Sequence, residues 1–121
     1  MRRIQIRADR PIPESLNVLV NKEEGSFDFI LLDDSSLENY LENYDKCIKL
    51  LRNGGLLLIN DVLVEGEVLS GPGFASTAAN IVNLMNSKIQ GDNRVRATFL
   101  PYGGGLTLVY KKPVDAFGRY I

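Results

Sequence analysis

Apolar residues along this chain follow two different rhythms. Two runs are continuous: Phe27-Asp28-Phe29-Ile30-Leu31-Leu32, which stops on Asp33-Asp34, and Leu56-Leu57-Leu58-Ile59, which follows Gly54-Gly55 and stops on Asn60-Asp61. Each is too short for a helix and too continuous for a half-exposed strand, so each predicts a strand buried on both faces. Between them, Leu37, Tyr40, Leu41, Tyr44, Ile48 and Leu51 recur at helical spacing and predict a helix over residues 36–52. Ser35 with Glu38 three residues on reads as a capping box at its start, and Asn53-Gly54-Gly55 as its stop.

The flanks are less regular. Residues 4–8 suggest a short strand that Pro11 and Pro13 end, residues 14–21 a short helix, and residues 22–26 a polar turn. Residues 62–74 read as a loop with Gly66, Gly71, Pro72 and Gly73, long enough for a lid or a binding loop. Ser76 or Thr77 then caps a helix with Ile81, Val82, Leu84, Met85 and Ile89 on one face, ended by Gly91-Asp92-Asn93. Two further strands, 94–100 and 106–110, are joined by Pro101-Tyr102-Gly103-Gly104-Gly105, which suggests a hairpin. Residues 1–112 thus read as one α/β unit, with parallel strands, crossover helices and a closing antiparallel hairpin, and residues 113–121 as a tail.

Composition changes this picture little. The 121 residues suit one domain, and 14 basic against 15 acidic residues, a net charge of -1, argue against nucleic acid or a membrane surface as partner. No apolar run has signal-peptide or membrane-spanning length. Cys47 is the single cysteine, so no internal disulfide is possible, and a reducing, cytoplasmic setting is expected. The chain has no histidine to act as a base, so Cys47 reads as a small helix residue rather than a nucleophile.

The candidate chemistry therefore lies with oxygen ligands. Strands ending on carboxylates and amides place Asp33, Asp34, Asn60 and Asp61 at the carboxyl edge of an α/β sheet, where ligands bind. The plainer alternative makes Asp33 and Asp34 helix N-terminal charges, worth from a few tenths up to about 1 kcal/mol, and Asn60-Asp61 a turn. Tyr40 and Tyr44 read as helix packing, and Arg94 as structural.

These pieces, in this order, resemble the cation-dependent O-methyltransferases that act on catechols and caffeoyl-CoA. The likeness runs from about Ile4 to Lys111; its strongest parts begin with Phe27–Leu32 and its aspartate, Glu38-Asn39-Tyr40 through Leu50-Leu51-Arg52-Asn53-Gly54-Gly55, and Val62-Leu63 with Gly66 and Val68. It resumes at Asp92-Asn93-Arg94-Val95 and continues through Leu100-Pro101, Gly103, Gly105-Leu106-Thr107-Leu108 and Lys111. It covers the C-terminal half of that family and implies part of a Rossmann-like methyltransferase sheet. It also implies S-adenosylmethionine as methyl donor and a divalent cation, typically magnesium, that holds a vicinal diol.

Carried over residue by residue, the resemblance puts the metal aspartate at Asp33 or Asp34, depending on which end the count starts from. It puts the family's lysine at Ser36 or Leu37, so no catalytic base is present. The family's Asp-Asn pair is Asn60-Asp61 here, in reversed order. Ile12 and Asp33 fall at donor positions, Val64 replaces a tryptophan of the acceptor pocket, and Tyr102 lies in the turn beside it. The family's glycine-rich donor-binding half has no counterpart, so a truncated or diverged form is implied. Two functions follow. One is metal-assisted methyl transfer to a catechol-like hydroxyl; the other is a non-catalytic relic or interaction module. An unpaired strand edge also makes self-association or pairing with another chain an expectation.

Overall fold

The computed structural model of the protein describes residues 4–33, 39–60, 62–69 and 76–121. In chain order its elements are helix α1 (Ile12–Glu23), strand β1 (Phe27–Leu32), helix α2 (Tyr40–Leu50), strand β2 (Leu51–Asn60), a 3-10 helix (Val64–Leu69), helix α3 (Thr77–Gln90), and strands β3 (Val95–Leu100) and β4 (Leu106–Lys111). The four strands form one sheet in the order β1-β2-β4-β3. β1 runs parallel to β2, while β4 is antiparallel to both β2 and β3. This is the expected α/β unit, a parallel crossover pair closed by a hairpin.

Local signals account for most of these elements. Ser76 caps α3 by accepting a hydrogen bond from the Ala79 amide at 3.2 Å. β1 spans the predicted run, and α1 extends further at both ends than its apolar residues suggested. The capping box at Ser35 lies outside the described residues. Lys111, on β4, donates from Nζ to the carbonyls of Ile48 (2.8 Å) and Leu51 (2.7 Å), capping the carboxyl end of α2.

Three expectations are corrected. Residues 4–8 form no strand: Ile4 and Ile6 are exposed and pair with nothing in the sheet, and an isolated strand has no ladder to stabilise it. The glycine pair does not terminate α2. That helix ends at Leu50, and Gly54-Gly55 lies inside β2, where the register with β1 jumps from Phe27–Leu51 to Phe29–Leu56. Gly54 takes φ +83° there. A Cβ on Gly55 would meet the Arg52 carbonyl at 2.9 Å and the Asp28 carbonyl at 3.2 Å, so only glycine allows the strands to close.

The third correction concerns burial. α2 and α3 cover one face of the sheet, where Tyr44, Cys47, Ile48, Val82, Met85 and Ile89 pack against Leu57, Ile59 and Val109. Among the described residues no helix covers the other face. Phe29 and Leu31 are 53% and 54% exposed, although β1 reads as a strand buried on both sides. Register aligns Phe29, Leu56 and Tyr110 in one row across this face, and Leu31, Leu58 and Leu108 in the next.

The tail, residues 113–121, which carries little signal in the sequence, closes into a small turn. Val114 bridges Tyr120, and the Asp115 carboxylate accepts hydrogen bonds from the amides of Phe117 (2.9 Å) and Arg119 (3.0 Å).

Candidate functional site

The last paired residues of the parallel strands are Leu32 and Ile59. One residue further along each chain stand Asp33, just past the carboxyl end of β1, and Asn60, the last residue of β2. Asn60 follows Leu56 and Leu58 in the alternation of β2, on the face opposite the helices, and Asp33 follows Phe29 and Leu31 in the same phase. Asp33 is exposed and Asn60 half-buried. The reversed order of Asn60-Asp61 therefore ends β2 on an amide, not a carboxylate.

The hairpin holds a loop over this edge. Asn60 pairs with Leu106, so the turn at residues 101–105 sits above the end of β2. The amides of Val62 and Leu63 donate to the carbonyls of Gly105 (3.4 Å) and Gly104 (3.0 Å). Gly105 has φ +91°, and a Cβ there would stand 2.8 Å from Leu63 Cγ; the loop crosses so closely that only hydrogen fits. Sequence reasoning read the glycine triplet as a turn and missed this clamp, whose signal was a glycine immediately before a strand.

Tyr102 is 76% exposed at the tip of the same turn. Val64, opening the 3-10 helix, packs against the core and holds φ +48°, a strained backbone for a β-branched residue. The fold thus brings Asp33, Asn60, Val64 and Tyr102 to one edge of the sheet. Ile12 is placed differently: it opens α1, 45% exposed, and the Pro13 carbonyl beside it accepts from Lys46 Nζ on α2 at 3.4 Å. Asp34, Ser36, Leu37 and Asp61 lie outside the described residues.

A carboxylate and an amide oxygen suit a hard divalent cation, so the donor chemistry fits magnesium. Among the described residues no three carboxylate, cysteine or histidine side chains gather at one point, and a full ligand set needs Asp34 or Asp61 as well. Two open cavities, of about 290 and 240 Å³, are lined around Arg7 and Arg10 and around Phe99 and Gln90; neither includes Asp33 or Asn60.

The densest charge cluster lies at the opposite end of the sheet. β3 runs in the direction of β2, so residues preceding Val95 sit at the amino edge. There Arg94 donates to Asp92 (2.9 Å from Nε, 2.7 Å from a terminal nitrogen) and to Asp45 (3.1 Å), while the Tyr44 hydroxyl donates to Asp92 at 2.8 Å. Lys88 pairs with Asp45 at 2.5 Å. Burial alone would raise the Asp92 carboxyl, but the hydrogen bonds from Arg94 and Tyr44 outweigh it and hold the pKa at about 2. Burial, and then the Asp92 partner, pushes the Tyr44 phenol well above its usual range. Arg94 is a structural clamp, as its sequence context suggested. Cys47 is buried, which pushes its thiol up to about 12 and leaves it without thiolate character. No helix among the described residues is long and apolar enough to cross a membrane.

Comparison with known proteins agrees with the fold. The O-methyltransferase family model matches residues 2–112. The chain is 33% identical to the probable caffeoyl-CoA O-methyltransferase 1 of Dictyostelium discoideum over 103 residues, which are 84% of this chain and 44% of that protein. It is 34% identical to the catechol O-methyltransferase domain-containing protein 1 of Mus musculus, over 90% of this chain and 41% of that one. Among solved structures, the O-methyltransferase of Bacillus cereus in complex with SAH superposes with a TM-score of 0.68 at 25% identity, over 82% of this chain and 46% of that chain. The chain spans a little under half the length of the relatives it matches.

Proposed function

The chain belongs to the O-methyltransferase family, and from that premise we propose that it serves S-adenosylmethionine-dependent methylation of a hydroxyl on a catechol-like small molecule, assisted by a divalent cation. The observation that supports this reading is the parallel pairing of β1 with β2 up to Leu32 and Ile59, the residues immediately before Asp33 and Asn60 at the carboxyl edge of the sheet. Asp33 and Asn60, with Asp34 or Asp61, would hold the cation. A bound magnesium ion supplies positive charge that stabilises the acceptor's phenolate at neutral pH. In the transfer the acceptor oxygen bonds the methyl carbon as the carbon–sulfur bond breaks, the hydroxyl proton is released, and S-adenosylhomocysteine leaves.

The chain's own residues then have positioning roles. The clamp between Gly105 and Leu63 sets the loop over the site, and Tyr102 and Val64 border the acceptor. Ile12 and Asp33 would contact the donor. No residue here takes the place of the family's lysine as base. Because the chain matches less than half of its relatives, a second reading, a methyltransferase-like interaction module without turnover, has an observation behind it.

Manganese tests the proposed cation site directly, since the residues assigned to it lie on this chain. In the 15N-labelled protein, sub-stoichiometric Mn2+ is expected to broaden the amide signals around Asp33 and Asn60 first, and Asp33→Asn is expected to abolish the effect. Broadening centred elsewhere, or none at all, overturns the metal assignment.

A further inference from the structure

The strand end at Asn60 and the turn at residues 101–105 are joined more tightly than a sheet requires. Asn60 faces Leu106 in the β2–β4 ladder. Past it, the Val62 amide donates to the Gly105 carbonyl and the Leu63 amide to the Gly104 carbonyl. Consecutive amides thus point at the turn, where a regular antiparallel ladder would use every second one. The Leu63 carbonyl in its turn accepts from the Gly66 amide at 2.9 Å, around Val64 at φ +48°.

Gly105 stands at the centre of this junction. Its amide donates to the Tyr102 carbonyl at 2.9 Å, its carbonyl accepts from Val62, and Leu63 leaves no room for a Cβ on it. The Tyr102 amide is held as well, by the Leu100 carbonyl at 2.9 Å. Two hydrogen bonds through one residue therefore link Tyr102 to the position two places after Asn60. Neither loop shifts alone without leaving a backbone group unpaired or driving Leu63 against Gly105.

We propose that Gly105 is a positioning residue that couples the two ends of the site. A cation held at Asp33 and Asn60 fixes the chain that follows Asn60, and through Gly105 it fixes the turn that carries Tyr102. The acceptor then meets Tyr102 already in place. By linkage, an acceptor resting on Tyr102 tightens the cation in return. The inference rests on the metal reading above and adds to it a second role for the cation, ordering as well as charge.

Amide exchange followed by NMR reads this coupling without any turnover. Saturating Mg2+ is expected to slow exchange at Val62, Leu63 and Gly105 by about fivefold or more, the low end of couplings between sites. Lys112, whose amide is bonded to the Arg94 carbonyl at the amino edge, is expected to stay unchanged. Gly105→Ala, and Leu63→Ala as a milder variant that keeps the glycine, are expected to lose the Mg2+-dependent protection at position 105 while Mn2+ still broadens the amides around Asp33. Gly103→Ala, at positive φ in open space within the same turn, is expected to keep it. Exchange that Mg2+ leaves unchanged in the wild type, equal slowing at Lys112, or full protection in Leu63→Ala or Gly105→Ala overturns the coupling and leaves the cation site standing. No Mn2+ broadening at Asp33 in the wild type sinks the metal reading and the coupling with it.

Discussion

Replacing Asp92 by asparagine isolates the charge in the clamp at the amino edge while keeping its shape. The wild-type carboxylate accepts from Arg94 Nε, from a terminal Arg94 nitrogen, from the Arg94 amide and from the Tyr44 hydroxyl. An amide has one oxygen and must turn its NH2 group toward a donor, so at least one of those bonds is lost and Arg94 loses its closest counter-charge. A carboxyl held at about 2 against an ordinary 3.8 corresponds to roughly 2 kcal/mol, at about 1.4 kcal/mol per tenfold. Solvent reaching the partly exposed Arg94 takes this toward 1–2 kcal/mol. A hydrogen bond left unmade on the buried Tyr44 adds about 1 kcal/mol. Asp92→Asn is therefore expected to cost about 2–3 kcal/mol at pH 7, read as a lower urea midpoint at unchanged m-value. The pH dependence has a definite sign. A depressed carboxylate pKa stabilises the fold fully above the unfolded value of 3.8, and the benefit disappears as pH falls through about 2. The gap between wild type and variant should narrow steadily from pH 4 to pH 2. A gap below 0.5 kcal/mol at pH 7, or one that persists unchanged at pH 2, would refute the reasoning.

Other perturbations probe different parts of the fold. Gly105→Ala should cost about 2 kcal/mol or more, because it combines positive φ with a Cβ pressed on Leu63, whereas Gly103→Ala, at φ +57° in open space, should cost only about 1 kcal/mol; paired urea melts compare them. Lys111→Met removes two hydrogen bonds to the end of α2 and is expected to cost about 1–3 kcal/mol, seen as faster amide exchange in the last turn of that helix. Cys47 should react with a thiol reagent only as fast as the protein opens, since its thiol is buried and pushed up to about 12; rapid labelling of the native chain would contradict its placement.

Much of the fold was legible in the sequence because its causes are local. Ser76 bonds an amide three residues away, β1 coincides with its apolar run, and the hairpin follows from Pro101 to Gly105. The candidate site was half legible. The acidic and amide residues at the ends of two apolar runs marked the sheet edge, but counting along the chain left Asp33 and Asp34 tied. Strand register, made by hydrogen bonds that no spacing encodes, brought Leu32 level with Ile59, one residue before Asp33 and Asn60; Asp34 lies outside the described residues.

Tertiary structure alone decided the rest. A run such as Phe29-Ile30-Leu31-Leu32 states that a strand wants both faces covered; whether they are covered depends on what else packs there, and among the described residues helices reach one side. Residues 4–8 have strand-like residues and no neighbour to pair with. Tyr44 and Asp92 stand 48 positions apart in the chain and meet at 2.8 Å, a contact set by the packing of α2 beside α3. Element type follows from neighbours within a few residues, which the sequence by itself determines. Coverage, pairing and long-range contact depend on chain brought together from a distance, and only the folded molecule decides them.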